Sequence, residues 1–230
     1  MPATVDQVRT RIARLEDGER ARLQRFAEQL FEKADRAFFE AFDAEALVAM
    51  ARGGLRFLDA RGGDDPSVEV LQPSFQADGW EASYTVLRVA LRDRPFIVDS
   101  VRAEIARHDL ELYHLLHPIY RVQRGEDGRI AELAPRGGGG RQEAFEMYFL
   151  ERVDEEDRRE ELRASIERVL GDVVLATDDY SRLREKVHEV AEAMRETRRR
   201  TAQGRHRGRG EEFEEYAAFL DWLDDDNFVF

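Results

Sequence analysis

The residues with the clearest chemical potential lie in the run Leu91-Arg92-Asp93-Arg94-Pro95-Phe96-Ile97-Val98-Asp99-Ser100-Val101. A strand that ends in a tight proline turn and passes into a helix exposes backbone N–H groups at the helix N-terminus, where the dipole favours an anion. The carboxylate of an amino acid suits that position. Arg94, Pro95, Phe96, Ile97, Asp99 and Ser100 are therefore the candidate effector-binding residues. A plainer reading stands beside it, in which the turn only joins strand to helix, Phe96 and Ile97 are buried, and Asp93 or Asp99 caps the backbone locally.

Other residues of the right type fall in the wrong pattern. His114 and His117 are three apart on a predicted strand, so they point to opposite faces and cannot grip one metal ion; His108, His188 and His206 have no obvious partners. The glycines at 137–140 precede a strand rather than a helix, whereas a dinucleotide fingerprint needs spaced glycines between strand and helix. They read as a loop. The carboxylate clusters Asp64-Asp65, Glu155-Glu156 and Asp224 to Asp226 sit in polar runs where solvation is expected. The stretch from Arg195 to Arg209 holds seven arginines and one acid, but it lacks interleaved aromatics for base stacking, and acids from Glu211 to Glu215 lie close enough to neutralise it. Nucleic acid is not expected as a partner, and neither is a metal.

The elements that must position the turn follow from hydrophobic spacing. Val8, Ile12 and Leu15, then Phe26, Leu30 and Phe31, recur at helical intervals; Asp43 caps a further helix carrying Leu47, Met50, Leu55 and Leu58, which the Gly53-Gly54 pair weakens. This arm, residues 1–66, carries apolar stripes that require a partner surface. From Val68 the period changes to two. Leu87, Val89 and Leu91 alternate with Arg88, Ala90 and Arg92, the pattern of a sheet with one buried face, and Pro95 is placed at the first position of the following helix. Leu112, Leu116, Tyr120 and Val122 share a face in the next strand, Asp127-Gly128 turns a hairpin, and Phe145, Met147 and Phe149 mark another strand before a helix carrying Leu162, Ile166 and Leu170.

The expected fold class is α+β, a mainly antiparallel sheet with helices on one face, occupying residues 67–179. Residues 172–179 are open between a fourth strand and continued helix. A long helix at 180–200, with a seam of Tyr180, Leu183, Val187, Val190 and Met194, suits helix pairing; a basic linker at 201–210 and a truncated segment at 211–230 complete the chain. Residues 224–230 read as the start of a strand with nothing to pair with, so the chain is expected to be a piece of a longer protein. A net charge of −13 repels phosphate on average, and no apolar run approaches the ~20 residues that span a bilayer. The absence of cysteine excludes thiolate chemistry and fits a reducing cytoplasm.

Asp-Arg-Pro-Phe-Ile-Val-Asp-Ser-Val at 93–101, Leu-His-Pro-Ile-Tyr-Arg-Val at 116–122 and Phe-Leu-Asp-Trp-Leu-Asp-Asp-Asp-Asn-Phe-Val-Phe at 219–230 resemble the N-terminal region of the large bacterial NAD-specific glutamate dehydrogenases. The resemblance implies an ACT-like (ferredoxin-like) fold for the α+β portion. It also implies that NAD and the catalytic lysine and aspartate belong far downstream, so this segment is expected to hold no cofactor and to be inactive alone. The implied partners are other domains and protomers of a homo-oligomeric parent, with an amino-acid effector as a further possibility. ACT domains commonly bind amino acids at the turn between first strand and first helix, where glycine usually follows the proline. Phe96 stands in that place, and its ring is expected to narrow or block the pocket.

Overall fold

A computed structural model describes residues 4–15, 17–135, 137–202 and 210–227. The chain divides into two compact units, 1–173 and 174–230.

The first unit opens with four helices: α1 (Val5–Ile12), α2 (Asp17–Leu30), α3 (Arg36–Ala41) and α4 (Ala44–Ala60). Each start among α1, α3 and α4 has a polar residue in extended backbone. Thr4 and Gln7 form a capping box, Asp35 accepts from Phe38 N–H and Asp43 from Ala46 N–H, both at 2.8 Å. Strand β1 (Ser67–Leu71), the single helical turn α5 (Phe75–Asp78) and β2 (Thr85–Arg92) follow. Next come α6 (Ile97–Arg107), β3 (Leu112–Leu116), β4 (Ile119–Arg124), β5 (Ile130–Ala134), β6 (Arg141–Leu150) and the long α7 (Glu156–Ala202), whose first turns lie in this unit.

All strand pairs are antiparallel, in the order β1-β2-β6-β4-β5, with β3 also on β6. Strands β3 and β4 share one side of β6, β3 opposite 147–150 and β4 opposite 141–144. His117-Pro118 separates them, and a proline has no N–H to give a ladder. Asp127-Gly128 makes the expected hairpin: Gly128 has φ 76°, Gly125 N–H donates to Arg129 O at 2.9 Å, and Asp127 accepts from Arg129 N–H. In a βαββαβ unit the last strand returns after the second helix to flank the first strand. Here residues 172–179 stay helical and that flank of β2 is taken by β1, which precedes it in the chain.

The helices of the α+β portion, α6 and α7, lie on one face of the sheet as expected, and the N-terminal helical arm covers the other. Val86, Ala90, Phe145, Met147, Phe149 and Tyr120 join Leu23, Phe26, Leu47 and Leu58 of the N-terminal helices in one core cluster. The apolar stripes of the arm thus find their partner in the sheet itself. Phe26 stacks on Tyr120 at 4.7 Å between ring centroids, and the Tyr120 hydroxyl donates to Phe26 O at 2.9 Å. Gly53-Gly54 serves this contact: a Cβ on Gly54 would stand 3.0 Å from the Phe145 ring, and one on Gly53 3.0 Å from the Arg88 guanidinium. Arg88, expected on a solvated face, is buried for this reason and pairs with Glu69 at 2.9 Å. A second buried ion cluster ties α4 to the hairpin, with Glu143 held by Arg61 at 3.0 Å and by both ends of the Arg124 guanidinium at 2.9 and 2.7 Å.

The opposite face, Leu87, Val89, Leu91, Tyr148 and Leu150, is fully buried as well. Helix α6 brings Ile97, Val101 and Ile105, and α7 brings Leu162, Ile166 and Leu170, all buried. His108 on α6 and Ser165 on α7 are 2.9 Å apart across these helices.

In the second unit, α7 pairs with α8 (Gly210–Trp222), which runs into a π-helical turn at Leu223–Asn227. Residues 224–227 are therefore helical where a strand was expected, and 228–230 lie outside the described residues. Asp224 is gripped by Arg184 and by His188 at 2.8 Å, and Ala191 and Ala217 are buried. Leu183 and Val190 of the predicted seam remain exposed, as do Tyr216, Phe219 and Trp222 of α8. No helix among the described residues is long and apolar enough to cross a membrane.

Candidate functional site

Strand β2 keeps its pairing one residue past its end, since Asp93 N–H donates to Gln142 O at 3.0 Å. Arg94 then turns back, its Nε donating to Arg92 O at 3.4 Å. Pro95 fixes its own φ, and Phe96 follows with φ 71° and ψ 1°, the left-handed geometry required at the third position of a type II turn. Helix α6 begins at Ile97 rather than at Pro95, a correction with a clear cause. The left-handed Phe96 cannot belong to a right-handed helix, so it becomes the N-cap, and its carbonyl accepts the first helical bond from Ser100 N–H at 3.0 Å.

Phe96 provides no side-chain cap, so the first turn of α6 presents backbone donors with Asp99 as its acidic residue. Ile97 is buried, but the Phe96 ring is 50% exposed, against the plainer reading that buries both. A non-glycine residue in the left-handed region costs about 1–2 kcal/mol. The backbone here has the conformation a glycine would give, while the ring stands at the mouth of the turn.

The floor of this site was not singled out in the sequence. Glu146 and Tyr148 project from β6 toward α6, 2% and 0% exposed, and the Tyr148 hydroxyl donates to the Glu146 carboxylate. Burial pushes the Glu146 carboxyl up to about 7; the Tyr148 hydroxyl opposes that rise and the charge of Asp93 adds to it. Tyr148 is raised far above the ordinary phenol range by burial, then by the charge and hydrogen bond of Glu146, against the pull of Arg102 on α6. Asp93 is raised by its own burial, offset by the Arg94 N–H. The turn thus sets a helix N-terminus, suited to an anion, close to Asp93, while Glu146 lies buried in the sheet below and holds its proton up to about pH 7.

The remaining candidates are distributed through the framework. The His114 ring packs edge-on against Phe38, Tyr84 and Phe149, while His117 is exposed at the β3–β4 break. His108 and His188 do have partners, in Ser165 and Asp224, whereas His206 lies outside the described residues. Asp64 pairs with Arg141. Asp224 is not solvated as its polar run suggested: its side chain is 9% exposed, and the hydrogen bond from Arg184 holds its carboxyl below the ordinary range. Arg195, Arg198 and Arg199 pair with Asp221, Glu214 and Glu196; most of the basic linker beyond them lies outside the described residues. At 137–140, Gly140 has φ 107° and would put a Cβ 2.9 Å from Val122 O, so this glycine is required by packing against β4.

An antiparallel α+β sheet with a strand–turn–helix crossing at its centre, and a turn that presents helix N–H groups over polar strand residues, defines an ACT-like domain. The family model described as the glutamate dehydrogenase ACT1 domain matches residues 26–167, from α2 through the sheet into α7. The chain belongs to this family. It is similar to the NAD-specific glutamate dehydrogenase of Pseudomonas aeruginosa, 28% identical over 208 residues that cover 89% of this chain and 12% of that protein. It is also similar to the NAD-specific glutamate dehydrogenase of Halomonas elongata, 31% identical over 169 residues, 72% of this chain and 10% of that protein. The chain therefore spans about a tenth of the length of these curated relatives.

Proposed function

We propose that this chain is a non-catalytic regulatory and assembly segment of a large NAD-specific glutamate dehydrogenase. The observation that carries the proposal is the family match over residues 26–167 of this chain, together with its similarity to relatives many times longer. The parent would convert L-glutamate, NAD+ and water to 2-oxoglutarate, ammonium and NADH, with NAD bound outside this segment and no cofactor within it. Its setting would be the cytoplasm.

The assembly role is supported by apolar side chains left in water. Phe219 and Trp222 stack at 6.1 Å and are both more than half exposed, and Leu183 and Val190 are exposed on α7. Contiguous exposed apolar residues mark surfaces that other domains or protomers cover. Nucleic acid is not proposed as a partner, because Arg195, Arg198 and Arg199 are engaged by acids, nor is a membrane. Mass measurement tests this reading. Self-association of the isolated chain, or altered assembly of a parent lacking it, is expected; a strictly monomeric chain together with unchanged assembly of the shortened parent would overturn it.

A second reading has its own support in the geometry of the turn. An amino-acid effector could place its carboxylate at the N-terminus of α6, near Arg94, Ile97, Asp99 and Ser100, and its ammonium beside Asp93. Binding there would couple to a distant active site only through a difference in affinity between two states of the parent. Arg94→Ala is expected to weaken the effector response; a full enzyme that keeps every response with this substitution would count decisively against the sensor.

A further inference from the structure

We infer that the cavity at the β3–β4 break is a second ligand site, separate from the Pro95 turn, and that it takes a small organic carboxylate. Pro118 interrupts the strand, and the gap is closed on its other side by the C-terminal end of α2, leaving a cavity of about 400 Å³. That volume falls within the range of small-molecule sites.

The charge on its walls fits an anion. Lys33, His117 and Arg121 border the cavity. None of these three side chains has an ion-pair or hydrogen-bond partner among the described residues. The chain as a whole carries a charge of −13, so two cations, Lys33 and Arg121, without partners among the described residues at one cavity stand out from their surroundings. The acid on the rim, Glu32, is already engaged in another interaction. A carboxylate can accept from the Arg121 guanidinium in a fork and from the Lys33 ammonium as a point charge.

The rest of the lining sets the ligand's other features. Leu30 and Ile119 supply an apolar wall, and Ile119 is 49% exposed without a ligand. The amide oxygen of Gln29 is buried with no donor among the described residues, a need that a ligand N–H or O–H would meet. The occupant is therefore a carboxylate on a short apolar body, and a donor group on that body adds a contact.

Backbone-amide NMR of the 230-residue protein, titrated separately with butyrate, succinate, L-glutamate and inorganic phosphate, tests the inference. A saturable change at residues 29–33 and 115–121 with at least one carboxylate is expected, and the carboxylate that binds tightest identifies the body. Phosphate should be weaker. Arg121→Gln should weaken binding roughly tenfold or more, the loss of a charge-assisted hydrogen bond, and Lys33→Met should weaken it by less. Neither residue has a partner to lose, so both variants should fold. No change with any carboxylate at tens of millimolar, equal effects of phosphate, or an unaltered titration of Arg121→Gln would overturn the site. Changes confined to residues 94–100 would also overturn it, while favouring the Pro95 turn.

Discussion

Replacing Glu146 by Gln should improve stability relative to the parent sequence increasingly as the pH rises. The carboxyl is 2% exposed and its ordinary value of 4.5 is pushed up to about 7 by burial. The folded state thus keeps its proton until about pH 7, whereas the unfolded chain loses it near 4.5. Between those values the folded state binds more protons, so stability falls with rising pH through this group. The advantage of the protonated form is fully present below about 4.5 and gone above about 7. At 1.36 kcal/mol per unit, the loss between pH 5 and pH 8 is roughly 2–3 kcal/mol. Gln keeps the acceptor for the Tyr148 hydroxyl and cannot ionise, so it escapes this loss. Urea unfolding of both proteins at pH 5, 6, 7 and 8 isolates the effect, since the other carboxylates cancel in the difference. The variant should gain roughly 2–3 kcal/mol relative to the parent sequence over that span, about 4–12 °C in Tm for a chain of this size. A difference that does not change with pH would refute the assignment of Glu146 as a buried, proton-holding acid.

Phe96→Gly should raise stability by about 1 kcal/mol in thermal unfolding, because glycine occupies φ 71° without strain and the ring is half exposed. Loss of stability would mean that the ring is packed rather than presented. Glu143→Ala leaves the Arg61 and Arg124 guanidiniums without their buried acid and should cost about 3–5 kcal/mol, read as a lower urea midpoint. Gly140→Ala forces a Cβ against Val122 O at left-handed φ and should cost on the order of 1–3 kcal/mol by the same measurement.

Much of the architecture was legible because each element announced itself by spacing or by a cap. Asp43, Asp127-Gly128 and the alternation through Leu87, Val89 and Leu91 all act where the sequence places them. The number of covered faces was not legible. Arg88 and Glu146 look like solvent-side residues in alternating strands, and only the helices folded over both faces reveal them as buried. The signal for Glu146 was its company, with Tyr148 and Leu150 on its own face of a strand whose other face carries Phe145, Met147 and Phe149. Gly53-Gly54 read as a weakness in α4 because helix propensity is local, while the close approach of Phe26 and Phe145 is a tertiary fact. Of the turn, residues 94–100 were found in sequence, but Phe96 was not expected in a glycine's conformation. Its left-handed φ shifts the helix start from Pro95 to Ile97.

The most direct test of the regulatory and assembly role is steady-state NADH formation by a full-length parent enzyme and by the same enzyme lacking these 230 residues, each assayed with and without amino-acid effectors. The role predicts that the shortened enzyme still oxidises glutamate at saturating substrate, and that its effector response or its dependence on protein concentration changes. Loss of turnover in a folded shortened enzyme with an intact NAD site would contradict a non-catalytic segment, and identical kinetics under every condition would contradict a regulatory one.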